Sequence, residues 1–293
     1  MNYQIQHASP ADAEVEPYDL TALNANLSGT PYQNKFHYYP TIPSTNTHAM
    51  QQAAAGAPEY TVYFADEQTA GRGRGGHTWH SAPGSGLYVS VLLRPRIVPA
   101  DALWLSLAAG LAVREAVLQL TAILIPPLAT PLAPDLRWPN DLLLGTRKFC
   151  GILTELHAEA TRVRHVVIGI GINVHQQSFP PELSALATSL HIETGRSWPR
   201  QQILVALLKS LHNQTAPLSE PDAAPAARLD LIERVEAAST WIRNKQVIVG
   251  EGSAEGPFRG TTAGLDERGF LLVDTPSGLR TVLSGGVRAA PPQ

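Results

Sequence analysis

The chain has 293 residues, with 22 Lys plus Arg against 25 Asp plus Glu, for a formal net charge of −3. That balance leaves no global basic field for a nucleic-acid backbone or an anionic membrane surface, so any phosphate chemistry has to be local. Apolar residues make up 44% and charged residues 16% of the chain, which excludes wholesale disorder. At roughly 150 residues per domain, the length suits one large domain or two unequal ones.

Only four of the basic residues are lysines, Lys35, Lys148, Lys209 and Lys245, so the position of each is informative. Cys150 is the single cysteine and cannot form an intrachain disulfide. Residues 1–16 have neither the basic start nor the apolar centre of a signal peptide, and prolines and polar residues break the apolar stretch 103–134. A cytoplasmic protein without membrane contact is the expectation.

Residues 1–16 are polar and carry Pro10, and read as a tail; Leu20, Leu23 and Leu27 then predict a short helix stopped by Gly29. From Phe36 the signals alternate. An aromatic strand over 36–39 is followed by a helix opened by Ser44 and closed near Gly56, and then by a strand over 60–65. A glycine-rich loop leads to an apolar strand over 87–93 and a helix over about 100–120, with Leu103, Leu107 and Leu111 on one face. The stretch 121–134 holds four prolines and is expected to be a loop.

Beyond it, 141–144, 149–156 and 163–172 predict three strands joined by short turns, which favours antiparallel pairing. A helix carrying Leu204, Leu207, Leu208 and Leu211 follows, then a Pro/Ala-rich stretch over 217–227 and a last helix to about Ala238. After Trp241 the texture changes to short strands over 246–249, 257–261, 270–273 and 279–283, punctuated by glycines, which suggests a small all-β barrel.

The sharpest feature is Gln68-Thr69-Ala70-Gly71-Arg72-Gly73-Arg74-Gly75-Gly76-His77-Thr78-Trp79. Glycines allow amide N–H groups to converge on an anion, and the arginines add planar charge-assisted donors. The segment is neither a P-loop nor a dinucleotide fingerprint, because it lacks the Gly-Lys-Ser/Thr closure and the required glycine spacing. A flexible Arg/Gly surface loop or RNA contact is the alternative. Two further clusters accompany it. Arg137-Trp138-Pro139-Asn140-Asp141 leads by a strand and short turn to Lys148-Phe149-Cys150-Gly151-Ile152-Leu153-Thr154-Glu155, and Gly169-Ile170-Gly171-Ile172-Asn173 interrupts a strong strand with two glycines. Strand glycines commonly mark a bulge or the close approach of a ligand or of another backbone, and packing alone is the alternative.

Taken in order from Ser44-Thr45-Asn46 through these clusters to Gly264-Leu265-Asp266, the sequence resembles the biotin protein ligases, enzymes of the biotin–[acetyl-CoA-carboxylase] ligase type. The resemblance implies an α/β (α+β) fold: a mixed, largely antiparallel sheet flanked by helices, followed by a small SH3-like β-barrel. The corresponding division is a tail and short helix at 1–35, a catalytic domain at 36–238 and the barrel at 239–293. It implies ATP with Mg²⁺, biotinyl-5′-AMP as intermediate, and transfer of biotin to a lysine of a carboxyl carrier domain. By resemblance Ser44, Thr45, Asn46, Gln68, Arg72, Gly73, Arg74, Lys148 and Gly151 contact biotin. Gly71, Arg74, Trp79, Asn140 and Asn173 serve the nucleotide, and Lys148, Arg72 and Arg74 are catalytic. No resident protein-held metal is implied.

Four positions depart from the family pattern. Arg137 stands for lysine, His77 for arginine, and Gly286 and Ala290 fall where the barrel commonly has glutamate and arginine. About forty residues precede Ser44, too few for the N-terminal DNA-binding domain of the dual-function members, so no nucleic acid is expected. The sheet edges of this family can pair subunits, and the residues leave a homodimer open. A lipoate or octanoate ligase of the same superfamily, a nucleic-acid-binding module, and a protein that holds biotin without transferring it are the competing readings.

Overall fold

A computed structural model describes residues 17–123, 127–250 and 256–291. The 1–16 tail and part of the proline-rich connection, 124–126, lie outside the described residues. The chain begins with α1 (Leu20–Asn26), whose first amides are met by the Asp19 carboxylate. Then come β1 (Phe36–Ile42), α2 (Thr45–Ala54), β2 (Val62–Gln68), β3 (Gly86–Leu93) and α3 (Ala102–Ala122). The hairpin strands β4 (Asp135–Arg137) and β5 (Asp141–Leu144) lead to the long pair β6 (Arg147–Ala158) and β7 (Val163–Asn173). Four helices follow: α4 (Pro181–Ser184), α5 (Leu190–Thr194), α6 (Arg200–Thr215) and α7 (Ala224–Ala237).

The first seven strands form one sheet in the order β1-β2-β3-β7-β6-β5-β4. Only β1 and β2 are parallel, as the α2 crossover between them requires, and the other pairs are antiparallel. The alternation of β2 and β3 serves two cores. Phe64, Val89 and Val91 enter the large core with α3 and α6, while Tyr63 and Leu92 pack with Ala49 and Ala53 of α2. Helix α3 is long and apolar enough to cross a membrane by length and composition, but most of it is buried inside the fold.

The C-terminal sheet contains β8 (Arg243–Val249), β9 (Phe258–Leu265), β10 (Leu271–Thr275), β11 (Gly278–Val282) and β12 (Val287–Ala289). Its order is β11-β10-β9-β8-β12, all antiparallel. It is docked on the larger sheet's chain: the buried Trp138 Nε1 donates to the Gly269 carbonyl oxygen at 3.0 Å.

Several local expectations change. The Pro/Ala-rich stretch turns helical at Ala224, with Pro225 in the first turn, where a missing N–H costs no intrahelical bond. Thr121 and Ala122 belong to α3 rather than to the loop after it. Strand β7 runs unbroken through Gly169 and Gly171, because both glycines keep their register partners on β3 and β6. Strand β9 likewise continues through Gly264.

Candidate active site

Ser44 caps α2 in an extended conformation, its hydroxyl oxygen accepting from the Thr47 amide at 3.3 Å. The two residues after it are buried. Thr45 donates to Gln68 Oε1 from both its amide and its hydroxyl, at 2.9 and 3.1 Å, and Gln68 Nε2 donates to Ser81 Oγ at 3.1 Å. Asn46 Nδ2 donates to Glu155 Oε2 at 2.9 Å and to the Leu153 carbonyl at 3.2 Å. Ser90 Oγ lies 2.7 Å from Asn46 Oδ1 and 2.8 Å from Thr45 Oγ1. The start of α2 is thus a preorganised uncharged polar surface.

This close approach explains one strand glycine. A Cβ at Gly169 would sit 2.1 Å from Asn46 Oδ1, so only glycine lets α2 lie against β7 here. Two others form a floor for an indole. Gly151 and Gly171 are cross-strand partners on β6 and β7, and a Cβ on either would meet the Trp79 ring at 2.8 or 2.5 Å.

The glycine-arginine segment closes on itself as a small hairpin. Gly73 N donates to His77 O at 2.7 Å and Trp79 N to Gly71 O at 2.9 Å, while Gly75 and Gly76 take φ of 65° and 82° at the tip. Its two arginines leave in different directions. Arg72 forms an ion pair with Glu155 at 3.0 Å, and Arg74 Nη1 donates to the Gly285 carbonyl oxygen of the C-terminal sheet at 3.1 Å. Burial pulls the Arg74 pKa below its ordinary value, with the Asp141 carboxylate opposing that effect.

Asp141 pairs with Lys148 at 2.5 Å and Arg137 at 2.7 Å. Burial alone would raise its pKa, but the two cations and their hydrogen bonds hold the carboxyl below the usual range. Lys148 Nζ also stands 5.3 Å from the Trp79 ring centroid. Four cations, Arg72, Arg74, Arg137 and Lys148, therefore face two carboxylates, and the excess positive charge lies where Arg74 and Lys148 line the cleft.

Residues 38–173 match the biotin/lipoate A/B protein ligase family, and residues 244–287 match the biotin protein ligase C-terminal domain. The chain is 35% identical over 246 residues to the biotin–[acetyl-CoA-carboxylase] ligase of Mycobacterium tuberculosis, covering 83% of this chain and 84% of that one. The chain belongs to the biotin protein ligase family. It is also 34% identical to the bifunctional ligase/repressor BirA of Bacillus subtilis, over 85% of this chain and 72% of that protein. The biotin protein ligase of Aquifex aeolicus in complex with biotin and ATP superposes with a TM-score of 0.70 at 30% identity, covering 88% of this chain and all of the other.

Most of the residues singled out in the ligase sequence meet. Ser44, Thr45, Asn46, Gln68, Arg72, Gly73, Arg74, Trp79, Asn140, Lys148 and Gly151 all line one cleft of about 440 Å³. A second cleft of about 570 Å³ shares Arg74, Asn140, Ile152 and Leu153 with it, and reaches Trp138, Pro139 and, from the C-terminal sheet, Leu283. Two residues lie elsewhere. Gly71 is buried, and its missing Cβ makes room for the Trp79 carbonyl, while Asn173 is buried with its amide donating to Thr188 O at 3.0 Å.

Of the four departures, Arg137 keeps a cation on Asp141 and stacks 5.3 Å from the Trp241 ring centroid, while His77 is exposed on the hairpin. Gly286 and Ala290 contribute backbone bonds to Gly250 and Gln246. Sequence reasoning gave no role to Asp141, Ser90 or Glu155. Glu155 and Asp141 stood inside quoted motifs, whereas Ser90 is one hydroxyl in a buried apolar strand and gave no signal.

Proposed function

We propose that this chain is an ATP-dependent biotin protein ligase that forms biotinyl-5′-AMP from biotin and ATP, releases pyrophosphate, and then passes the biotinyl group to a carrier lysine. The observation that carries the reading is one cleft with two unlike ends joined by Trp79: uncharged donors and acceptors from Ser44, Thr45 and Gln68, and the cations Arg74 and Lys148. A ureido ring needs the first kind of surface. Ser44 keeps its O–H and Gln68 one amide N–H for such a ring, since their described bonds use the Ser44 oxygen as acceptor and one Gln68 donor.

The second end suits a carboxylate approaching a triphosphate. Like charges repel unless cations stand between them, and Arg74 and Lys148 supply that neutralisation without needing to reorganise. Arg137 stands behind Lys148 on the shared Asp141 carboxylate. In the second step the neutral carrier amine attacks the acyl carbon of the mixed anhydride, AMP leaves, and the amine proton passes to solvent or a nearby acceptor.

Magnesium enters this reading as part of the nucleotide substrate. Among the described residues no group of three His, Cys, Asp or Glu side chains is gathered for a metal, and Asp141 and Glu155 are paired with cations. A carboxyl carrier domain is the proposed protein partner, following the names of the ligase relatives.

The test is streptavidin blotting of a purified carrier domain after incubation with this protein, ATP, Mg²⁺ and biotin. Carrier labelling with biotin supports the reading. Adenylate formed only with lipoate would replace it with a lipoate ligase, and salt-sensitive oligonucleotide binding indifferent to biotin would replace it with a nucleic-acid module.

A further inference from the structure

We propose that Glu155 is a positioning residue that latches the glycine-arginine hairpin to the polar end of the cleft, and so sets how long the acyl-adenylate is retained. The proposal rests on the ligase reading for its substrate and on geometry for its mechanism. Glu155 Oε1 pairs with Arg72 Nη2 at 3.0 Å, while Oε2 accepts from Arg72 Nη1 at 3.2 Å and from Asn46 Nδ2 at 2.9 Å. One carboxylate on β6 thereby joins a fixed element to a loop.

The fixed side is Asn46. Its amide is buried and held from three directions, by Glu155, the Leu153 carbonyl and Ser90, over the space left by Gly169. The loop side is Arg72, whose fork meets both carboxylate oxygens. The hairpin's backbone bonds are internal, and an isolated two-stranded turn is marginal in water. Its side chains therefore hold it down: Trp79 on the Gly151 and Gly171 floor at its base, Arg72 to Glu155 and weakly to Thr47 at 3.4 Å, and Arg74 to Gly285.

The pairing also separates the two arginines by role. Arg72 is neutralised by Glu155, whereas Arg74 makes no ion pair among the described residues. Arg74 is thus the arginine available to an anion and Arg72 the peg. Lifting that peg opens the cleft to water and lets the reactive anhydride out. Because the Arg72 side chain is 49% exposed, the latch is salt-sensitive and its loss modest, about two- to fivefold in the release rate.

The experiment uses Glu155→Gln, Arg72→Gln and the double variant in the full chain, measuring release of preformed biotinyl-AMP against NaCl concentration. The expected result is two- to fivefold faster release at low salt for each single variant, no further increase in the double variant, and convergence with the parent near 1 M salt. The KM for biotin should rise more than kcat falls. A structural defect alone would instead lower thermal stability and give a salt-independent loss. Additive effects, or release equal to the parent's, overturn the latch. Hydrogen exchange of the Gly73 and Trp79 amides gives a readout without substrate. Faster exchange in Glu155→Gln supports the latch and unchanged exchange overturns it, whereas a parent that releases no pyrophosphate overturns only the ligase reading.

Discussion

The Arg74 guanidinium donates to the Gly285 carbonyl oxygen at 3.1 Å, so the glycine-arginine hairpin of the large sheet is tied to a turn of the C-terminal sheet. The acceptor is a main-chain atom, so this tie does not depend on the side chains that Gly286 and Ala290 lack. Arg74→Gly removes both the tie and a cation of the cleft. The expected outcome is adenylate that still forms but leaves about ten- to a hundredfold faster, from the ~1.5–3 kcal/mol of a charged hydrogen bond, and labels lysines indiscriminately. Gel-filtration retention of biotinyl-AMP together with mass spectrometry of bystander proteins checks it. Retention equal to the parent's would refute it.

Lys148→Ala tests the other cation. Lys148 stands between Asp141 and the face of Trp79, so its loss leaves the cleft with less positive charge and a carboxylate less well paired. The expected effect is a drop of about 10²- to 10³-fold in the first step, seen as pyrophosphate release. Transfer from chemically supplied biotinyl-AMP should fall far less. An equal loss in both steps would assign Lys148 to folding rather than to activation.

Much of the site was legible because its residues lie in ordered motifs, yet the reasons for several of them were not. Gly169 and Gly171 could be read as a close approach, but the approaching groups, Asn46 and Trp79, come from far away in sequence. The strand-helix alternation survives because local periodicity encodes it, but α3 is buried on every side from Trp104 to Val113 rather than along one leucine face, and Leu103 is only partly buried. Strands β4 and β12 are three residues each and exist only through their partners β5 and β8, so no local pattern announces them. Asn173, which the resemblance assigns to the nucleotide, is buried, and its amide donates to the Thr188 carbonyl. The pairing of Arg72 with Glu155 is a tertiary choice between two arginines that look alike in sequence.

Gly171→Ala tests the indole floor. The added methyl would lie 2.5 Å from the Trp79 ring, which has to move, while the strand backbone tolerates alanine. The expected outcome is a raised KM for ATP and biotin together, with a stability loss of about 1–3 kcal/mol, as overpacking typically costs. Steady-state kinetics beside a urea titration checks both. Unchanged KM values with a lowered midpoint would confine Gly171 to packing.

Cys150 is fully buried on β6, and burial pushes its thiol pKa well above the ordinary value despite the nearby Lys148. The folded protein should resist iodoacetamide at pH 8 and become alkylated only when the sheet opens. As the single cysteine, it would report global unfolding by the rate of mass gain in rising urea. Rapid labelling of the native protein would contradict the buried placement.

Asp141 gives the pH dependence its sign. Its folded-state pKa is depressed, so its stabilising contribution is fully present above the unfolded value of about 3.9 and is lost as pH falls through the lower native value. Asp141→Asn removes the carboxylate between Lys148 and Arg137 and leaves two cations facing each other. At pH 7 the variant should be less stable by about 1–3 kcal/mol, below the ~3–5 of a fully buried pair because both cations reach solvent. Below about pH 4 the parent loses the advantage that the variant never had, so their urea midpoints should converge. Midpoints measured from pH 7 to 3 decide it: a gap that does not narrow below pH 4 would mean that the fold does not depress the Asp141 pKa.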